Sequence, residues 1–135
     1  MTIKVINPAG LVEPQGYAHV GIATGTRTVY LAGQVGQDAD GAVVGVGDLA
    51  AQTEQALVNV SIALDAAGAS FDDVAKTTIY VVGWTREMMG PLFEGLGRAA
   101  ARLEIDPVGP TTLVGVQALA TPEILVEFDV TAVVA

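Results

Sequence analysis

The chain has 135 residues, is 51% hydrophobic and 16% charged, and carries a net charge of −9 with no cysteine. That length suits one domain, residues 1–135, with one proper core. The acidity argues against nonspecific binding to a phosphate backbone, and the absence of thiols excludes a disulfide framework, a thiol nucleophile and a thiolate metal site.

The first ten residues, MTIKVINPAG, lack the layout of a signal peptide. No apolar run approaches the roughly 18 residues that span a bilayer, so a soluble, cytoplasmic chain with no membrane partner is expected. Lys4–Asn7 reads as a short strand ended by Pro8 and Gly10. Tyr17–Ala23 and Thr28–Gln34 read as a hairpin around Thr24–Arg27. In its first strand Ala18, Val20 and Ile22 should pack inward, with Tyr17 and His19 on the other face. Gly36–Gly47 is a glycine-rich loop with an Asp40-Gly41 turn and a short strand around Val43.

The clearest element is a helix over Asp48–Gly68. Leu49, Ala56, Leu57, Val60, Leu64 and Ala67 recur at helical spacing. Asp48 is placed to cap its start and Gly68 its end. Gln52, Glu54, Gln55, Asn59 and Ser61 fall mostly on its other faces. Ser70 can cap a single turn over Phe71–Val74, and the β-branched run Lys76–Val82 makes a strand. A second helix over Thr85–Leu103 carries the stripe Leu92, Leu96, Ala99 and Leu103, with Pro91 tolerable near its start. Thr111–Leu119 and Ile124–Val134 read as two strands around the turn Ala120–Glu123. In the last, Val126, Phe128, Val130, Ala132 and Val134 form one face, and Glu127 and Asp129 lie on the other. The order predicts an α+β fold, a mixed sheet with both helices on one face. With charge below the about 25% usual for globular domains, the second face is expected to meet solvent or other copies of the chain.

Few residues carry chemistry. The glycine-rich stretches contain no phosphate loop with a lysine, and no serine has a histidine partner in a recognisable motif. With His19 the sole histidine, and no carboxylates at ligand spacing, no metal or other cofactor is expected. Tyr17, His19, Gln34, Thr111, Glu127 and Asp129 remain as polar groups at strand positions. Glu127 stands out, because a carboxylate within so apolar a strand is costly to bury unless hydrogen-bonded or used, for instance in general acid–base work. The plainer alternative is that Glu127 and Asp129 mark a solvated face.

The chain resembles the RidA/YjgF family of imine deaminases, known in older usage as the endoribonuclease L-PSP family. The resemblance rests on Gly16-Tyr17, Leu31-Ala32-Gly33-Gln34, Gln52-Thr53, Ala56-Leu57, Asn59-Val60, Ala66-Ala67-Gly68, Asp73-Val74 and Lys76-Thr77-Thr78. Val114-Gly115-Val116, Leu119 and Val126-Glu127-Phe128-Asp129 complete it. It implies a chorismate-mutase-like α+β fold and a homotrimer with three pockets between subunits. In deaminases of the family an arginine clamps the carboxylate of a 2-imino acid and a glutamate on the last strand orients water. Tyr17, Gly33 and Glu127 match the family's pocket. Ala32 stands where a serine is usual, Gly90 for an asparagine, Thr111 for the arginine and Leu113 for a residue that is often cysteine. The resemblance is therefore to a divergent branch that lacks the carboxylate-binding arginine. Arg27, Arg86 and Arg98 are the possible substitutes from a neighbouring subunit. The resemblance implies a trimer that binds a small metabolite in an inter-subunit cleft, with hydrolysis by a water on Glu127 as the enzymatic version. A noncatalytic ligand-sensing or partner-binding trimer is the alternative, and an endoribonuclease the second. No nucleic-acid partner is expected from the charge.

Overall fold

A computed structural model describes residues 3–135. In chain order it contains β1 (Ile3–Ile6), β2 (Val20–Ala23), β3 (Arg27–Tyr30), β4 (Gln34–Val35) and α1 (Leu49–Ala66). β5 (Val74–Val82), α2 (Met89–Leu103), β6 (Thr111–Val116) and β7 (Val126–Val134) follow. Single 3-10 turns at Phe71–Asp73 and Arg86–Met88 precede β5 and α2. The main sheet runs β3-β7-β5-β6, with β4 also on β7, while β1 and β2 form a separate ribbon.

β7 is central because its alternation lets one face enter the core along its whole length. Val126, Phe128, Val130, Ala132 and Val134 are buried, as their spacing predicts. Both helices pack on that face: Leu57, Val60 and Leu64 of α1 and Leu92 and Ala99 of α2 join Phe128 and Val130 in one cluster. The helices approach closely at Gly95, where a Cβ would lie 2.6 Å from the Ala50 carbonyl oxygen. This is the predicted α+β layering, with no helix on the opposite face among the described residues.

α1 begins and ends as its sequence requires. Asp48 Oδ1 accepts the Ala51 amide at 3.1 Å. Gly68 takes φ +74°, and the Ala69 amide reaches back to the Leu64 carbonyl at 2.9 Å, a glycine-closed helix end. Its polar face departs from expectation. Gln52 and Thr53 are fully buried. The Gln52 amide donates to the carbonyls of Gly45 (3.1 Å) and Glu123 (2.9 Å), and its oxygen accepts the Leu125 amide (2.8 Å). Asn59 likewise donates to the carbonyls of Val35 (2.9 Å) and Gln37 (2.8 Å). These polar side chains tie together loops and strand ends that lie far apart in sequence, which periodicity does not reveal.

Two expected hairpins are absent. β2 pairs with β1, not β3, and β3 pairs with the end of β7 (Arg27↔Val134 to Tyr30↔Thr131). The link between them crosses the end of β7: Thr26 donates to the Val134 carbonyl at 3.0 Å, and a Cβ on Gly25 would come within 2.5 Å of that oxygen. Val20 and Ile22 accordingly remain 36% and 48% exposed instead of packing inward. β6 and β7 do not pair either, because β5 lies between them, parallel to β6 and antiparallel to β7. The predicted strand around Val43 is a lone bridge to Gln37.

Thr53 supplies a stability prediction. Its Oγ1 is buried with no hydrogen-bond partner among the described residues. Thr53→Val keeps the shape and removes the stranded hydroxyl, so it should stabilise by about 1 kcal/mol. Urea unfolding checks this, and a destabilisation would show that the hydroxyl has a partner after all.

Candidate active site

The predicted site residues fall into two groups, and sheet register separates them. One rung joins Glu127 to Tyr80 and Tyr80 to Val114. The next rung joins Phe128 to Ile79 and Leu113, and two rungs further along Val130 joins Thr77 and Thr111. Phe128 and Val130 face the helices, so Thr111 and Leu113 do too, whereas Glu127 faces the opposite way.

The Glu127 group is built on a bulge. Tyr30 pairs with Thr131 and Gln34 with Phe128, so the β3–β4 side carries one residue more than β7 between these pairs. The extra length brings the backbone of Ala32 and Gly33 over the side chain of Glu127. A Cβ on Gly33 would lie 2.5 Å from both Cδ and Oε2 of Glu127, so the carboxylate occupies space that only glycine leaves open. Ala32 is exposed, and its carbonyl accepts the Gln34 amide at 3.2 Å. Glu127 itself is half-buried, between Tyr80 on β5 and Val35 on β4. The arrangement presents one carboxylate, flanked by backbone, on the helix-free face.

The second group lies between α2 and the sheet. Ala18 bridges Pro110 and donates to the Gly109 carbonyl at 2.9 Å, which brings Tyr17 to the start of β6. Tyr17, Thr111 and Leu113 line one cavity of about 130 Å³. Tyr17 stacks edge-on to His19 with ring centres 5.2 Å apart, and His19 Nε2 is 2.7 Å from the Val12 carbonyl oxygen. The Thr111 hydroxyl donates to the Gly109 carbonyl at 2.9 Å. Gly90, in the first turn of α2, is exposed and lines neither place, although its neighbour Met89 borders the cavity. Leu92, Phe93, Leu96 and Ile79 form more of the wall, together with Gln15 and Gly16. The sequence had marked Leu92 and Leu96 only as a packing stripe. Phe93, a large ring one position off that stripe and 42% exposed, was the available signal.

Comparison with known proteins places this arrangement among relatives. Residues 12–134 match the family model described as Endoribonuclease L-PSP. The chain is 30% identical over 99 residues to a rat (Rattus norvegicus) protein named 2-iminobutanoate/2-iminopropanoate deaminase, covering 70% of this chain and 72% of that one. Among solved structures, a Rid-family protein of unknown function from Yersinia pestis superposes with a TM-score of 0.87 at 37% identity, covering 99% of this chain and all (100%) of that one. A YjgF/YER057c/UK114 family member from Mycobacterium tuberculosis follows at 31% identity and a TM-score of 0.60, covering 98% of this chain and 100% of the other.

Proposed function

This chain belongs to the endoribonuclease L-PSP family, the RidA/YjgF family, and from that membership we propose that it is a trimer binding a small metabolite in clefts between subunits. In each cleft Glu127 holds a water that hydrolyses an imine, enamine or related bond. The division of the site residues supports this reading. Within one protomer Glu127 and the Tyr17–Thr111–Leu113 group lie on opposite faces of the sheet. A single cleft gains both only where the helix-free face of one copy meets the cavity mouth of another. The chemistry needs little more. Glu127 takes a proton from water as the water oxygen bonds to the imine carbon and passes it to the nitrogen, giving a carbinolamine. It then carries the hydroxyl proton to the nitrogen as the carbon–nitrogen bond breaks, releasing the carbonyl product and the amine. An acidic chain without cysteine suits the cytoplasm.

The test is a panel of small imines, enamines and amides. Glu127→Ala should lower turnover by about 10²–10⁴-fold, the usual range for a lost general base. Gly33→Ala should lower it too, because the added Cβ displaces the carboxylate from a place 2.5 Å away. Gly33 is exposed, so unfolding midpoints should barely move. Unchanged turnover in Glu127→Ala would overturn the catalytic reading. Saturable ligand binding without any turnover would favour the ligand-sensing alternative.

The family's older name suggests RNA cleavage, and we expect none. Single-strand readers need stacked aromatics and a basic groove. Here Arg98 pairs with Glu94 and Arg102 with Glu54, and the net charge is −9. A filter-binding curve that saturates at low micromolar RNA, with nuclease-free protein, would refute this.

A further inference from the structure

We propose that the cavity beneath α2 anchors an uncharged hydrocarbon group of the ligand, a phenyl ring or a branched alkyl chain. The inference deepens the reading above and rests on it for the place of the site. Its chemistry comes from the walls.

Size comes first. The cavity holds about 130 Å³. An engineered protein cavity of about 150 Å³ lined by aliphatic and aromatic side chains stays dry and takes up benzene. The two are close enough for one ring or a four- to five-carbon branch. Beneath it lies a second void of about 50 Å³, which shares Ile79, Leu96 and Thr111 with the first and reaches Leu57 and Phe128 in the core. A longer alkyl group has somewhere to extend.

Polarity decides the rest. Ile79, Met89, Leu92, Phe93, Leu96 and Leu113 supply most of the upper walls, Gln15, Tyr17 and Thr111 are their polar side chains, and none of the lining side chains is charged. The Thr111 hydroxyl is already directed at the Gly109 carbonyl. In the lower void the acid Asp106 accepts the Val108 amide at 3.0 Å. A carboxylate entering here would lose its water and find no cation in return. A hydrocarbon group would lose nothing and fill space the protein leaves poorly packed. The hydrocarbon group then lies inside, among these side chains, and the reacting bond outside, toward a neighbouring copy's Glu127.

Benzene itself is the probe, titrated into the intact protein while the methyl resonances of Ile79, Met89, Leu92, Leu96 and Leu113 are followed, with benzoate as the charged counterpart. Saturable shifts confined to these methyls are expected, with benzoate at least tenfold weaker. Leu113→Phe should weaken benzene binding at least tenfold by filling the space. Should that variant misfold, Phe93→Ala at the exposed rim provides the same check, because removing a wall should weaken binding several-fold. Absence of saturable binding, shifts elsewhere, or equal affinity for benzoate would overturn the inference. Hydrolysis without benzene binding would defeat this inference alone. Benzene binding without hydrolysis would uphold it and defeat the catalytic reading alone.

Discussion

Gln52→Met is expected to lower the unfolding free energy by about 2–4 kcal/mol, a loss large enough to move the thermal midpoint by about 6–16 °C in a domain of this size. Methionine matches the length and fills the space but offers no amide. The carbonyl of Glu123 and the amide of Leu125, now satisfied at 2.9 and 2.8 Å, would lose the Gln52 side chain at once, whereas the Gly45 carbonyl keeps the Asp48 amide at 2.9 Å. Each such buried group costs about 1–3 kcal/mol when stranded, and the lower part of the range allows for water reaching the loop side. Gln55→Met is the control, since that amide bonds only the Asn59 side chain at 3.0 Å. Urea denaturation of both variants separates them. A loss below about 1 kcal/mol for Gln52→Met would mean that the loops around Gly45 and Glu123 hold without this tether.

The second large effect concerns substrate charge. The wild-type protein should engage 2-imino acids about thirty- to a thousandfold more weakly than a relative with an arginine at the position of Thr111. Arginine holds a carboxylate through two parallel charged hydrogen bonds, and one neutral hydroxyl cannot reproduce them. The loss is about 2–4 kcal/mol by analogy with broken charged pairs, at about 1.4 kcal/mol per tenfold. Here even the hydroxyl is engaged, with Gly109. Of the arginines named as substitutes, Arg98 pairs with Glu94 and Arg27 donates to the Ala135 carbonyl at 3.2 and 3.3 Å. An amino-acid-oxidase-coupled assay of imine disappearance checks the expectation. Wild-type rates well above background would show that another group binds the acid, and a gain in Thr111→Arg would support both the alignment and the role given to Glu127.

How far the sequence alone reaches depends on whether the signal is local. The capped helix over Asp48–Gly68, the β-branched run of β5 and the alternation of β7 are local, and each appears in the structure. Strand partners are not local. The segments of β2 and β3 look like a hairpin because a short glycine-containing link joins them, yet that link crosses the end of β7 instead. Buried amides escape for the same reason. Gln52 was assigned to a polar face because its partners lie at Gly45 and at Glu123–Leu125, and only the fold brings them together. The resemblance supplied Glu127 and Gly33 as separate pocket positions, but their contact depends on a bulge that no spacing announces. Likewise, one set of pocket positions became two faces only once the register of β5, β6 and β7 was visible.

The placement of β7 has a consequence for how the chain assembles. The last strand in sequence is the middle strand in space, and it pairs with residues as distant as Arg27, opposite Val134. On the ribosome, α1 and the β5–α2–β6 unit can begin to associate as they emerge, but the gap between β3 and β5 stays open until the final strand is delivered. Until then the nascent sheet has two unpaired inner edges and half a core. Contacts this far apart in sequence close slowly, because the loop entropy precedes the reward. Premature termination anywhere before β7 therefore yields not a shortened domain but two fragments of a sheet with nothing to join them.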